Sequence, residues 1–156
     1  MASGRIVVGV DGSLESVRAL SWAVEEAELR GDTVEVVYAY DHDPAWAVTP
    51  VGTGPVPLSA PPNVEERARD AAMERIDEAV DKADARKGSV EIVRRPVADP
   101  NPARALVEAS ENADLLVVAS RGTGAFMGLL LGSVSQKCAQ LAQCPLVILP
   151  HPEGED

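Results

Sequence analysis

The feature that most constrains this chain is a regular alternation of short apolar runs with longer stretches of helical spacing. Ile6-Val7-Val8-Gly9-Val10 reads as a buried strand. Residues 14–30 then carry Val17, Leu20, Val24 and Ala27 at helical intervals, with Ser13 as the N-cap and Gly31 marking the end. A second strand is expected over 33–40, a helix over 64–86, a strand over 90–93 and a helix over 101–112. Leu115-Leu116-Val117-Val118-Ala119 is apolar on both faces and reads as a fourth strand. A helix over 133–142 and a strand over 146–149 close the series. Strictly alternating strands and helices imply an α/β fold, with a parallel sheet buried under helices on both faces. Aromatic residues make up only 3% of the chain, so the core must be built from Val, Leu, Ile and Ala, the palette of such a sheet. At 156 residues the chain is the size of one ordinary domain.

Two segments break the pattern. Residues 41–62 hold Pro44, Pro50, Pro55, Pro57, Pro61 and Pro62 with Gly52 and Gly54, and are expected to form a long irregular loop. Residues 151–156 are expected to be an acidic tail. Acidic side chains number 25 against 14 basic ones, a net charge of -11, which disfavours nucleic acid and anionic membranes as partners. An anionic ligand would need local help from backbone N–H groups, a cation or a metal. No secretory signal or membrane span is legible, so a cytoplasmic protein is expected. Cys138 and Cys144 then read as reduced and structural, and their spacing fits no zinc pattern.

In open α/β sheets ligands sit at the carboxyl ends of strands where the winding direction reverses. If the first and fourth strands flank that point, the loops beside it begin at Val10 and at Ala119. The second of these is rich in glycine: Gly122, Gly124, Gly128 and Gly132 lie between the fourth strand and the next helix. Glycine permits close approach of backbone to a ligand. Ser133 to Gln136 has the form of a capping box, which would start the helix at Ser133. Backbone N–H groups of Gly132, Ser133, Val134 and Ser135 would then face an anion at the positive end of the helix dipole, with the Ser133 and Ser135 hydroxyls beside them.

Familiar phosphate motifs fail here. Walker A needs a lysine after the last glycine, where this chain has Ser133. Gly122, Gly124 and Gly128 are one residue too long for the dinucleotide fingerprint, and they follow the wrong strand. No segment makes a nucleophile elbow. The spacing instead resembles the ATP-binding universal stress proteins, whose pattern is G-x-x-G, nine residues, then G-S or G-T. Gly122, nine residues and Gly132-Ser133 match its second half, and Ala119-Ser120-Arg121-Gly122 matches the first with Ala119 in place of glycine. Val8-Gly9-Val10-Asp11-Gly12-Ser13, Asn112-Ala113-Asp114-Leu115-Leu116-Val117-Val118 and Cys144-Pro145-Leu146-Val147-Ile148-Leu149 extend the likeness over nearly the whole chain.

The resemblance implies a single doubly wound, Rossmann-like domain over 1–150, with five parallel strands in the order 3-2-1-4-5 and four helices. It implies an adenine nucleotide, ATP or AMP, with or without Mg2+, at the ends of the first and fourth strands. Val10 and Asp11 would lie beside the adenine and ribose, Ala39 along the adenine, and Val118 and Ala119 on the ribose side. Gly122, Gly132, Ser133, Val134 and Ser135 would bind phosphates. A homodimer through Leu146 to Leu149 is implied as well, and an apolar edge strand does need a partner or a cover.

Blander readings stand beside these. Asp-Gly-Ser is ordinary turn chemistry, so Asp11 is either a turn residue or a ligand contact. Arg121 reads equally as a solvated arginine or a phosphate clamp. His42 and Trp46 read as surface loop residues sooner than as an adenine cover. Pro100-Asn101-Pro102-Ala103 stands where the family commonly has a glycine and reads as a turn variant. Phe126, Met127 and Leu129 to Leu131 read as core or dimer contacts. No base–nucleophile pair and no acidic partner for Asp11 are visible, which favours binding over catalysis. The alternatives are a nucleotide-free dimeric interaction module and a slow ATPase.

Overall fold

A computed structural model describes residues 2–41, 63–122 and 131–152. The proline-rich segment with His42 and Trp46, the glycine-loop residues 123–130 and the last four residues lie outside the described residues. Five parallel strands, β1 (Arg5–Gly9), β2 (Thr33–Tyr40), β3 (Ile92–Ala98), β4 (Leu115–Ala119) and β5 (Leu146–Leu149), form one sheet in the order β3-β2-β1-β4-β5. The described helices are α1 (Leu14–Arg30), α2 (Val64–Lys82), α3 (Pro102–Ala109) and α4 (Ser133–Leu141), with a 3-10 turn at Ala85–Lys87.

Pleating divides the apolar residues of each strand between two layers. Ile6 and Val8 of β1 pack with Leu20, Ala23 and Ala27 of α1 and with Ile76 and Val80 of α2. Val7 points the other way, into a cluster with Leu106 of α3 and Cys138 of α4. Strands with apolar groups on both faces are what a sheet between two helical layers requires. The start of α1 follows from Ser13, whose Oγ accepts the Ser16 N–H, and its end from Gly31 at φ 73°. Asn101 does for α3 what Ser13 does for α1, accepting the Arg104 N–H.

The boundaries depart from expectation in three places. The third strand runs over Ile92–Ala98 rather than 90–93. Arg94, Arg95 and Pro96 hide it in the sequence, yet β3 is an edge strand, where charges and proline are tolerated. The helix expected over 64–86 ends at Lys82, and Asp84 at φ 52° turns the chain into the 3-10 segment. The helix expected over 101–112 stops at Ala109, and Asn112 at φ 61° makes the turn into β4.

One charged cluster ties the sheet together away from the loops. Glu35 in β2 is only 6% exposed. Its carboxylate accepts hydrogen bonds from Arg5 of β1 at 2.8 Å and from Arg95 of β3 at 2.5 Å. Arg5 also donates to the carbonyls of Ala109 and Glu111 at the end of α3. Burial alone would raise the Glu35 pKa, but the hydrogen bonds from Arg95 and Arg5 outweigh it and hold the carboxyl below its ordinary value near 4.5. A lowered folded-state pKa gives stability that is present above the unfolded value and is lost as the pH falls through the folded one. Glu35→Gln should therefore cost about 1–3 kcal/mol at neutral pH. The gap between variant and wild type in urea unfolding should narrow as the pH is taken below that ordinary value.

Candidate functional site

The winding direction reverses between β1 and β4, so the loops that leave these strands diverge and open a crevice. On the β1 side, Val10 donates its N–H to the Val37 carbonyl at 3.0 Å and extends the sheet by one residue. Asp11 then starts a tight turn through Gly12 at φ 88°. Its Oδ1 accepts from the Ser13 N–H at 2.9 Å and from Ser13 Oγ at 2.5 Å. Ser16, 3% exposed, donates its hydroxyl to the Ser13 carbonyl at 2.9 Å and accepts the Asp11 N–H at 3.3 Å. The turn is thus locked by its own serines.

On the β4 side, Ser120 donates its N–H to the Leu149 carbonyl of β5 at 2.8 Å. Its carbonyl accepts the Gly132 N–H at 2.5 Å and the Ser135 hydroxyl at 2.8 Å. α4 starts at Ser133, as expected; Gly132 before it is the N-cap, extended at φ −77° and ψ 174°, and no side chain caps the helix, so the capping-box pattern of Ser133 and Gln136 is not what starts it. The bond to Ser120 draws the Gly132 peptide back against the end of β4. The same bond removes Gly132 from the expected set of available donors. The N–H groups of Ser133, Val134 and Ser135 have no carbonyl within their own helix to bond. α1 and α3 also begin at this end of the sheet, but Ser13 and Asn101 cap them.

Gly122 and Gly132 stand at close approaches. A Cβ on Gly122 would lie 2.5 Å from Asp11 Oδ2, so the loops from β1 and β4 meet there. A Cβ on Gly132 would lie 3.3 Å from the Ser120 carbonyl oxygen. Ala119, by contrast, packs its methyl against the core cluster on the α1 face, which accommodates the side chain where the family pattern has glycine.

A cavity of about 530 Å3 lies between these loops. Val10, Asp11, Ala39, Val118, Ala119, Arg121, Gly122, Gly132, Ser133, Val134 and Ser135 all line it, so every site residue expected from sequence is brought to one place. One side is apolar, made by Val10, Val37, Ala39, Val118, Pro102 and Leu106. The other is polar, made by Asp11, Ser120, Arg121, Gly122 and the first turn of α4. Among the described lining residues Asp11 and Arg121 carry the charges.

Gly9, Ser16, Val37, Pro102, Leu106, Ser120, Leu131 and Gln136 also line the cavity and were not expected to. Leu106 packs its end over Gly9, where a Cβ would lie 2.8 Å from Leu106 Cδ1. Pro102 is held by the turn before it. Arg104 Nε and Nη2 donate to the two Asp99 oxygens at 2.8 and 2.6 Å, and the Asn101 N–H donates to the same carboxylate. The Arg104 guanidinium, with that N–H, keeps the Asp99 carboxyl below its usual range. The spacing of Ser13 and Ser16 is the one sequence signal that could have revealed Ser16.

Among the described residues no group of three or more His, Cys, Asp or Glu side chains is placed to hold a metal, and no helix is long and apolar enough to cross a membrane. Cys138 and Cys144 are both free thiols, and burial pushes Cys138 up to about 11, so it stays un-ionised at neutral pH.

Residues 3–150 match the sequence model of the universal stress protein family. Universal stress protein Rv2623 of Mycobacterium tuberculosis is 35% identical over 144 residues, covering 92% of this chain and 44% of that protein. Universal stress protein Rv2028c of the same organism is 36% identical over 155 residues, covering 97% of this chain and 50% of its own length. The chain therefore spans about half the length of these relatives. Among solved structures, a universal stress protein in complex with cAMP superposes with a TM-score of 0.63 at 27% identity, over 97% of this chain and 100% of that one. The motifs, the sheet order and the family match over residues 3–150 agree, and the chain belongs to the universal stress protein family.

Proposed function

We propose that the cavity binds an adenine nucleotide, with ATP and AMP as the first candidates, and that the protein acts as a nucleotide-dependent regulatory module of the stress response. The observation that carries this reading is the pairing of an apolar wall with an uncapped helix start in one crevice. The apolar side, with Ala39 and Val10, suits a purine base, and Asp11 and Ala119 flank the place a ribose would occupy. Gly122 and the N–H groups of Ser133, Val134 and Ser135 suit phosphate oxygens, with Arg121 as the nearby cation. In a chain of net charge -11, such local donors are what would let an anion bind. The relative in complex with cAMP supports an adenine nucleotide as the ligand class.

Binding with at most slow hydrolysis is the reading that the described residues support, since among them no pair is arranged as base and nucleophile. A homodimer through β5 belongs to the same reading: it is supported by the edge position of this strand and by its apolar, half-buried residues Leu146 to Leu149. A nucleotide-free dimeric interaction module is the competing reading.

Calorimetric titration with ATP, AMP and cAMP should give saturable binding by at least one of them, and no binding by any would leave the nucleotide-free module standing. Gly132→Val should lower that affinity about tenfold or more, because a side chain there presses on the Ser120 carbonyl and the Arg121 and Gly122 backbone and displaces the first turn of α4. An unchanged affinity would remove Gly132 from the phosphate side. Sedimentation at micromolar concentrations should show a dimer, and a monomer would contradict the edge-strand interface.

A further inference from the structure

We infer that the hydroxyl of Ser135 is a positioning group that presets the start of α4, and that Ser135 meets a phosphate through its backbone N–H alone. The inference deepens the nucleotide reading and rests on it. Ser135 is 1% exposed. Its Oγ lies 2.8 Å from the Ser120 carbonyl oxygen and 3.1 Å from that of Gly132. A serine hydroxyl has one hydrogen, and both neighbours are acceptors, so that hydrogen is already directed into the protein. An ionised phosphate oxygen is also an acceptor. It has nothing to donate to Oγ, and it can win the hydrogen only by breaking the bond to Ser120.

What that bond holds is the geometry of the donors. The Ser120 peptide is fixed from both sides. Its N–H is bound to Leu149 of β5, and its carbonyl takes the Gly132 N–H as well as the Ser135 hydroxyl. The first turn of α4 is thereby hung from the end of β4 at two points. The N–H groups of Ser133, Val134 and Ser135 are held in place before any ligand arrives, and donors fixed in advance cost little ordering on binding. Ser133 differs: it is exposed, lines the cavity and stands at the first helical position, where its hydroxyl suits direct contact with phosphate.

The test separates a latch from a ligand by using the ligand-free protein. Amide hydrogen exchange would be followed at residues 132–136 in wild type, Ser135→Ala, Ser135→Cys and Ser133→Ala, and each would be titrated with AMP and with adenosine. In Ser135→Ala the ligand-free exchange should speed up about tenfold, and AMP affinity should fall about tenfold while adenosine affinity stays within about twofold. Ser135→Cys keeps the volume and a weak donor, and should fall between alanine and wild type. Ser133→Ala should weaken AMP without changing ligand-free exchange. Ligand-free exchange unchanged in Ser135→Ala, or AMP and adenosine weakened together, would overturn the inference. A wild-type protein that binds neither compound would instead overturn the nucleotide reading, with the exchange rates still deciding whether Ser135 is a latch.

Discussion

β1 has a neighbour on each side, and the whole arrangement depends on that position. The chain winds outward from β1 to β2 and β3, and must then return past its own start to lay β4 and β5 on the other side. Two consequences follow from this single reversal. The helices are forced onto opposite faces, α1 and α2 on one and α3 and α4 on the other. The cavity lies at the carboxyl ends of β1 and β4, where the winding direction reverses. The Ser120 peptide then joins the edge to the crevice, since one of its groups bonds to β5 and the other to the start of α4.

The charge distribution follows the same division. The buried Glu35, with Arg5 and Arg95, ties the strands together and, through Arg5, the end of α3, and none of the three lines the crevice. Asp99 and Arg104 act at one remove, fixing the turn that brings Pro102 to the cavity wall. Near the cavity itself the chain relies on backbone groups and on Arg121, which is how an acidic protein makes room for an anion without a cluster of lysines.

Much of this was legible in the sequence, for identifiable reasons. The runs Ile6 to Val10 and Leu115 to Ala119 are apolar at every position because both faces of a central strand are covered, and that pattern has few other meanings. Asp11-Gly12-Ser13 and Gly132-Ser133 announce a turn and a helix start by local chemistry alone. β3 was half hidden, because an edge strand is free to carry Arg94, Arg95 and Pro96. Leu106 and Pro102 could not be assigned to the cavity, since their part depends on how α3 packs over Gly9, a contact made across nearly the whole length of the first three strands. The start of α4 at Ser133 was legible, but its cap is Gly132, held by a long-range bond to the Ser120 carbonyl that no local pattern announces. Ala119 shows the converse: the glycine it replaces looked important in sequence, and the structure gives its methyl a place in the core.

The most direct test of the account is a backbone amide spectrum of the isotopically labelled protein titrated with AMP. The account predicts the largest shifts at Ser133 to Ser135 and further ones at the residues that line the cavity, 9–11, 16, 37, 39, 106, 118–122 and 131–136. An unshifted spectrum at saturating AMP, or shifts centred on another part of the sheet, would contradict it.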